Sequence, residues 1–408
     1  MASAKLIEVL GGWEGYSVGT VGRMRTGSEA DEDVLIELHP IRGHPRRCGG
    51  CGQSVTAIHD SEERWVRDLP ILDAETWLLV HRVRVECPAC GPKLEDLSWL
   101  APYARLTRRL EDSVARLCQV LPVLHVAQWF ELDWKTVKAI DKASLERALG
   151  PVDVAGVEQI VMDEFAIQKG HRYATVIVEP ETKRVLWVGR GRSREDIRPF
   201  FELLGPEGRQ RLKAVAMDMN GAYEAEVRQQ CPQAEIVYDQ FHVVAKYGRE
   251  VVDEVRTAEA RHAQSQGERQ VLKGSRWLLL RNAENLKRED RVRLKELLTI
   301  NRRLATVYVL KDDLKFLWTY RLPNWAMQFW RDWRSRAMHS AIQPLKRFTR
   351  RLAEKLAGLL AHCEFPLHTS LLEGINNKIK VIKRMAYGFR DDYYFFLKIR
   401  AAFPGIRR

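Results

Sequence analysis

Three acidic residues stand in sequence contexts that could build a metal site for chemistry at phosphorus. Asp163 interrupts the apolar run 160–165, Asp218 ends the apolar run 214–217, and Glu373 precedes a basic amphipathic stretch. Converging carboxylates repel one another unless a divalent cation neutralises them, and hard oxygen ligands suit Mg²⁺ or Mn²⁺. Two such ions about 3.5–4 Å apart would clamp the attacking and leaving oxygens of an in-line displacement.

Alternation along the first predicted strand leaves a choice between two adjacent acids. Asp163 shares a face with Val161 and Phe165, whereas Glu164 points to the other face. We therefore expect Asp163 to be the metal ligand, with Glu164 as the alternative.

The segment around Glu373 has the period of an amphipathic helix. One face is polar and carries Glu373, Asn377, Lys380 and Arg384, while apolar residues occupy another face and would pack in the core. A metal ligand followed by an amide and two cations suits a phosphate backbone that runs past the metal. The alternative interpretation is an ordinary solvated charged face.

Two cysteine pairs near the N-terminus have the spacing of a zinc site. Cys48 and Cys51 form one CxxC pair, and Cys87 and Cys90 form the other. Four thiolates suit tetrahedral structural Zn²⁺, and such a closed site leaves no position for catalysis. A β-hairpin could fill the long interval between the pairs, and a redox CxxC is the alternative interpretation.

A short helical region follows the cysteine pairs. Helices are predicted at 123–130 and 134–149, joined by the turn Glu131-Leu132-Asp133, which fits a helix-turn-helix. Asp133 is a plausible N-cap of the second helix. Contacts to base edges are then expected from the start of that helix, where Lys135, Thr136 and Lys138 lie. An ordinary helical hairpin is the alternative.

Charge and composition favour a polyanionic partner. The 408 residues carry a formal net charge of +12, and the sequence pI is about 9.4. No apolar stretch approaches the ~18 residues of a transmembrane helix. Seven cysteines, four of them in paired motifs, indicate a reducing compartment with a metal site. We therefore expect a cytoplasmic, nucleoid-associated protein that binds DNA and no membrane.

The central region alternates strands and helices. Strands are predicted at 157–167, 173–179, 184–190, 212–217 and 235–238, with helices at 194–204 and 220–230 between the later ones. The order βββ-α-β-α-β-α is that of an RNase H-like fold. In such a sheet Asp163 and Asp218 lie on neighbouring strands. A general α/β domain is the alternative.

With these residues identified, the chain resembles the ISL3 family of bacterial insertion-sequence transposases over nearly its whole length. The resemblance rests on the cysteine pairs, the helix-turn-helix, MDE at 162–164, AMDMNGAY at 216–223, YDQFHVV at 238–244 and the long segment 373–400. It implies a DDE transposase with an RNase H-like core, whose catalytic triad maps onto Asp163, Asp218 and Glu373.

The resemblance also implies roles for two further regions. Asp239 to His242 looks like the [C/D]-x-x-H element of several transposase groups, in which His242 would orient the scissile phosphate. The tryptophan-bearing segment 251–365 looks like the helical insertion of related transposases. Most of its tryptophans should be core, and Trp325 is the preferred candidate for stacking on a DNA base.

The expected fold is therefore multidomain α/β. Its predicted parts are a zinc ribbon at 1–102, a helix-turn-helix at 103–150, an RNase H-like core at 151–250, a helical insertion at 251–365, and the final acid-bearing helix with a basic C-terminus at 366–408.

The expected function is Mg²⁺-dependent cleavage and strand transfer of double-stranded DNA. The expected substrates are terminal inverted repeats and target DNA, held by a homodimer or a larger synaptic complex. A DNA-binding regulator with the same zinc ribbon and helix-turn-helix, but with a non-catalytic RNase H-like domain, is the alternative.

Overall fold

The chain forms two compact units, which are described separately below. A computed structural model describes residues 11–24, 33–72, 74–168, 170, 172–281, 283–367 and 370–406. The first unit extends to Ala148 and the second begins at Leu149. The first unit thus includes both the cysteine pairs and the helices that follow them. The five predicted domain boundaries stay predictions.

The first unit is built on a seven-stranded sheet. Six strands follow the order β1-β2-β6-β7-β3-β4, and β5 pairs with β6 beside this path. The strands are β1 (Tyr16–Met24), β2 (Asp33–Pro40), β3 (Arg46–Cys48), β4 (Ser54–Val55), β5 (Ile58–Ile71), β6 (Ala74–Cys87) and β7 (Gly91–Asp96).

The antiparallel pair β5–β6 fills most of the interval between the two cysteine pairs. Each of these strands has 14 residues. One end of the unit packs around Trp13, Ile36 and Leu78, and the cysteine end around Val83 and Val85. The hairpin expected between the cysteine pairs is thus confirmed.

The described residues after the sheet form three helices: α1 (Arg108–Leu117), α2 (Val123–Trp129) and α3 (Trp134–Leu149). The chain leaves α1 at Cys118, ahead of Pro122, which precedes α2. The three helices share a small core that includes Leu110, Val114 and Val126.

A buried arginine joins this helical core to the sheet. The Arg67 side chain lies on β5 and donates hydrogen bonds to the carbonyl oxygens of Phe130 (2.8 Å) and Glu131 (3.4 Å), which lie in the turn between α2 and α3. Glu75 on β6 forms an ion pair with the same guanidinium. The sheet therefore holds the turn between the last two helices directly.

The second unit is built on a five-stranded sheet of order β10-β9-β8-β11-β12. The first three strands are antiparallel neighbours, whereas β11 runs parallel to both β8 and β12. The strands are β8 (Gln159–Gln168), β9 (Arg172–Glu179), β10 (Arg184–Arg190), β11 (Ala214–Met217) and β12 (Glu235–Tyr238).

Helices α4 (Arg194–Arg211), α5 (Gly221–Gln230) and α6 (Gln240–Tyr247) follow these strands. Ser193 and Asp196 form a capping box that begins α4. The helix runs past its predicted end at Leu204, but with a kink at Gly205, whose φ of 66° is readily adopted only by glycine. The helix that the sequence predicted therefore ends at the kink.

The two faces of this sheet carry separate apolar clusters. Ile160 and Met162 belong to a large core shared with α4, α5 and the later helices, while Val161 and Phe165 belong to a second core on the opposite face. Because successive strand residues point to opposite faces, Asp163 is placed with the second cluster.

A helical region follows α6 and precedes the last acid. A π-helical turn at Gly248–Val252 joins α6 to it. Its α-helices are α7 (Asp253–His262), α8 (Gln266–Gly274), α9 (Arg276–Leu280), α10 (Arg288–Ile300), α11 (Arg302–Lys315), α12 (Pro323–His339), α13 (Gln343–Ala353) and α14 (Leu356–Leu360), with short 3₁₀ turns at Ala283–Asn285, Phe316–Thr319 and Ala361–Cys363.

Two final helices cover the Asp163 face of the sheet. They are α15 (Ser370–Met385) and α16 (Asp392–Ala402). Leu372, Ile375 and Ile379 of α15 pack in the same cluster as Val161 and Phe165. In the part of the chain that the structure describes, no helix is both long and apolar enough to cross a membrane.

Candidate functional site

The four cysteines of the two pairs come together at the ends of strands. Their Sγ atoms all lie within 4.8 Å of one another, and those of Cys51 and Cys87 are 3.6 Å apart. Four thiolates at ~2.3 Å from one ion would have edges of about 3.8 Å. The prediction that the pairs form one cluster is confirmed, and its dimensions fit zinc.

Local backbone geometry builds this cluster. The Gly52 amide donates to the Cys48 carbonyl oxygen at 2.8 Å and so closes the first turn. A Cβ atom at Gly50 would lie only 3.2 Å from Cys90 Sγ. Backbone amides of Cys51 and Gly50 lower the pKa of Cys48 to about 7, so this thiol readily becomes the thiolate that a metal needs.

The helix-turn-helix geometry is present where the sequence predicted it. The Asp133 carboxylate accepts from the Lys135 amide at 2.8 Å and so caps α3. Glu131 has a φ of 50°, the left-handed conformation that glycine often provides in such a turn. The absence of glycine from this turn therefore did not prevent its formation.

The predicted DNA-contacting residues lie on the first turns of α3. Lys135 and Thr136 are exposed, Lys138 is half-buried, and the buried Val137 anchors the helix in its core. The ammonium of Lys135 stands 5.9 Å from the ring centre of Trp134. Exposed cations at a helix N-terminus are available to a polyanionic ligand.

Asp163 lies on β8, and Asp218 directly follows the end of the neighbouring strand β11. Ala216 of β11 pairs with Val161 of β8 in parallel register, and each acid stands two residues further along its chain. Asp163 points to the same face as Val161, and the charge of Asp218 is close enough to help raise the pKa of Asp163. The sheet thus brings together two acids that are far apart in sequence.

Burial makes this pair of acids unusual. It raises the pKa of both Asp163 and Asp218 above the ordinary value, and His242 only partly opposes the effect. Asp163 accepts from the Glu164 amide at 2.8 Å and from Asn376 Nδ2 at 2.7 Å. A buried and a half-buried carboxylate at one edge create a strong demand for a cation.

His242 lies beside the two acids. Its Nδ1 is 2.7 Å from Asp239 Oδ2, and its Nε2 is 3.8 Å from Asp163 Oδ1. Burial opposes protonation of His242, but Asp239, Asp163 and Asp218 outweigh it and raise its pKa. Asp239 also caps α6 by accepting from the His242 amide at 3.2 Å, so the helix end fixes the ring.

Glu164 has a different partner. Both of its carboxylate oxygens accept from the Arg192 guanidinium, at 3.0 and 3.1 Å, and the ring of Tyr173 lies 4.2 Å from that guanidinium. Asp163 instead contacts the acid-bearing helix α15 through Asn376. Asp163 and Glu164 thus have different partners, although the charge of Glu164 also helps to raise the pKa of Asp218.

Helix α15 presents its predicted polar stripe to solvent. All four members are exposed: Glu373, Asn377, Lys380 and Arg384. The oxygens of Glu373, Asp163 and Asp218 do not all lie within 4.8 Å of one another, although all three acids belong to the described residues. The structure therefore brings the two aspartates and His242 together, and places Glu373 on the helix that contacts Asp163.

Asn376 is a site residue that the sequence reasoning missed. It lies one turn after Glu373, and its Nδ2 donates to Asp163 while its buried Oδ1 has no hydrogen-bond partner. The adjacent Asn376 and Asn377, shortly after Glu373, were the sequence feature that could have indicated this contact. An unpartnered amide oxygen beside the buried Asp163 carboxylate fits a hard divalent cation.

Several aromatic side chains of the second unit are exposed. Phe241, next to the site histidine, is 67% exposed, and its ring centre is 5.8 Å from that of His242. In the helical region Trp325 is 63% exposed and Trp277 62%, whereas Trp330 and Trp333 are buried. The exposure of Trp325 is compatible with its predicted stacking role but does not distinguish it from Trp277, and Phe241 is a further candidate.

Three family models match successive parts of the chain. One described as "Transposase" matches residues 160–399, one described as "Helix-turn-helix domain of transposase family ISL3" matches 95–144, and one described as "zinc-finger of transposase IS204/IS1001/IS1096/IS1165" matches 44–90. Together they cover the acid edge, the helix-turn-helix and the cysteine cluster.

Full-length relatives agree with these matches. The chain is 52% identical over 410 residues to the transposase for insertion sequence element IS1001 of Bordetella parapertussis, with all of both chains covered. It is 26% identical over 387 residues to the transposase for insertion sequence element IS1557 of Mycobacterium tuberculosis strain CDC 1551 / Oshkosh, covering 88% of this chain and 86% of that one.

Proposed function

This chain belongs to the ISL3 family of transposases, and we propose that it cuts the ends of an insertion sequence and joins them to target DNA. The carrying observation is the level placement of Asp163 on β8 and of Asp218 at the end of the adjacent parallel strand β11, beside the helix that bears Glu373. That arrangement suits DDE-type phosphoryl transfer.

The catalytic unit is proposed to be an RNase H-like core. Its sheet has three antiparallel strands followed by two parallel ones, and helices cover both faces. The helices between Asp253 and Leu360 then form an insertion between the second and third acids. This insertion packs in the larger core, which supports a fixed position for it relative to the sheet.

Asp163, Asp218 and Glu373 are the residues that would hold Mg²⁺ or Mn²⁺. Their oxygen donors and the unpartnered Asn376 Oδ1 suit a hard cation. When bound, the ions supply Lewis-acid stabilisation of the charge that develops on the reacting phosphate.

The chain's own groups prepare this edge for DNA. Asn376 holds the Asp163 carboxylate in a single orientation. His242, with its raised pKa and its ring fixed by Asp239, presents Nε2–H toward the acid edge and can donate to a non-bridging oxygen of the scissile phosphate. Lys380 and Arg384 continue the exposed stripe and would follow the backbone beyond the cut.

Recognition of the element ends is assigned to the first unit. The exposed start of α3 supplies Lys135, Thr136 and Lys138 for the major groove, and the cysteine cluster holds structural Zn²⁺. Because cleavage and joining act on two ends at once, the active form is proposed to be a homodimer or larger synaptic complex.

A binding and cleavage assay tests the proposal. Full-length protein, Mg²⁺ and a labelled terminal-repeat duplex are incubated, and bound, cleaved and joined products are scored separately. Wild type should give all three products, whereas Asp163→Asn should bind normally and give no cleavage above background.

Glu164→Gln is the matched control, because it removes the adjacent acid whose partner is Arg192. It should retain cleavage. Mg²⁺-dependent nicking by Asp163→Asn would refute the assignment. Binding without cleavage by wild type would identify a regulator, and cleavage without joining would identify a nuclease.

A further inference from the structure

A second cluster of metal-ligand residues lies on the sheet of the first unit, apart from the cysteines. Glu37 and His39 occupy the same face of β2, and His81 lies on the neighbouring parallel strand β6, where Leu38 pairs with Val80. One ligand atom from each of the three lies within 4.8 Å of the others. Strand alternation and register therefore create this group.

The spacing of the three ligand atoms suits one metal ion. Glu37 Oε1 is 3.1 Å from His81 Nε2 and 3.3 Å from His39 Nε2. Ligands at ~2.0–2.2 Å from an ion are about 2.9 Å apart in octahedral geometry and about 3.4 Å apart in tetrahedral geometry. Both observed distances lie between these values.

A neighbouring side chain orients the carboxylate of the cluster. Thr20 Oγ1 donates to Glu37 Oε2 at 2.8 Å, which leaves Oε1 for the two histidines. A hydrogen bond to the second carboxylate oxygen is a usual way of orienting a metal ligand. Glu63 Oε1 is 3.9 Å from His81 Nδ1, so this acid acts on the ring only through its charge.

The two imidazoles pack against each other beside β1. Gly19 on β1 provides the space, since a Cβ there would lie 2.5 Å from the His39 ring. The two rings are stacked with centres 4.4 Å apart, and the His39 side chain is 45% exposed.

We propose that Glu37, His39 and His81 form a second zinc-class metal site, which takes a borderline divalent ion such as Zn²⁺. Two imidazoles and one carboxylate match this class better than Mg²⁺, which prefers oxygen ligands alone. Three protein ligands leave a coordination position open, in contrast to the closed cysteine cluster. An ion here ties β2 to β6 at the surface of the sheet.

Metal stoichiometry tests the site. Full-length protein is dialysed to equilibrium against buffered Zn²⁺ with excess Mg²⁺, which keeps zinc from the acid edge, and bound zinc is measured by elemental analysis. Wild type should hold two zinc ions per chain, whereas His81→Gln and Glu37→Gln should hold one. X-ray absorption should show only nitrogen and oxygen ligands around the additional ion.

His59→Gln is the matched control. His59 is a strand histidine of the same unit, 42% exposed and paired with the Glu86 carboxylate, but it has no place in the cluster. This variant should keep both ions.

Two results would overturn the proposal: one zinc ion per wild-type chain, or two per His81→Gln chain. The first would mean that Glu37 simply accepts hydrogen bonds from two imidazoles. Circular dichroism of each variant separates loss of the ion from loss of the fold.

Discussion

The cysteine cluster and the acid edge are both places where metal ligands converge, but the protein prepares them in opposite ways. The four thiols are already packed to the dimensions of one ion by two tight turns. At the acid edge only the two aspartates and His242 are close together, with Asp163 hydrogen-bonded to Asn376 and with Glu373 exposed on its helix.

This difference separates a site that maintains structure from a site that performs chemistry. A closed thiolate cluster satisfies its ion completely, so its loss is expected to appear as unfolding. Buried carboxylates with open positions destabilise the metal-free fold, and their loss is expected to appear as lost reaction. Three substitutions test this contrast, and a fourth tests DNA binding by the first unit; they follow in order of decreasing effect.

Cys87→Ser should have the largest effect. Structural zinc contributes about 10–16 kcal/mol of binding free energy in small domains, so the first unit should lose its fold. Limited proteolysis with mass spectrometry should show new cleavage within residues 11–148 and continued protection of the second unit. Cys118→Ala removes a buried thiol outside the cluster and should cost only about 1–2 kcal/mol. If the first unit of Cys87→Ser resists proteolysis as well as that of the wild type, the cysteine cluster does not maintain the fold and the contrast with the acid edge fails.

Asn376→Ala should slow cleavage by about 10–100-fold, the usual effect of removing a group that orients a metal ligand. The Mg²⁺ concentration for half-maximal rate should rise, while the Kd for terminal-repeat DNA stays constant. Asn377→Ala, on the exposed stripe, should instead weaken DNA binding without changing the Mg²⁺ requirement. If Asn376→Ala changes only the Kd for terminal-repeat DNA, and not the Mg²⁺ requirement, Asn376 does not position Asp163.

Asp163→Asn should stabilise the metal-free second unit by about 1 kcal/mol, a typical size for one substitution. Burial raises the pKa of Asp163, so the fold favours a neutral side chain there. If the side-chain amide of Asn376 rotates by about 180°, its Oδ1 can accept a hydrogen bond from the amide group introduced at position 163. Thermal unfolding in chelator should show a higher Tm, and Mg²⁺ should no longer raise it. Glu235→Gln, which removes the charge of an exposed acid, should leave Tm unchanged. A lower Tm for Asp163→Asn would contradict the idea that the buried charge destabilises the metal-free fold.

Lys135→Ala should have the smallest effect. Removing one phosphate or base contact weakens end binding a few-fold and reduces the slope of log K against log salt by about 1. Cleavage of bound DNA should proceed at the wild-type rate. Arg147→Ala removes the same charge from the far end of α3 and should not change the slope. Equal slopes for both variants would indicate that another surface reads the ends.

The sequence predicted those parts of the molecule that depend on local patterns. Strand alternation separated Asp163 from Glu164, and CxxC spacing identified the zinc cluster, because both follow from residues close together in the chain. Asn376 was missed because its role comes from a contact with Asp163 across the fold. The kink at Gly205 was equally hidden, since an apolar helical period continues only to Leu204 and carries no information on the turn beyond it.

The Arg67 contact with the turn of the helix-turn-helix has a consequence for how such proteins exchange specificity. Because a sheet residue holds the carbonyl groups of Phe130 and Glu131, a transplanted recognition helix would arrive without the support that sets its angle. Viable hybrids between relatives are therefore expected to exchange the whole segment up to Ala148 as one cassette. A junction just before α1 would separate the recognition helix from Arg67, the sheet residue that supports its turn.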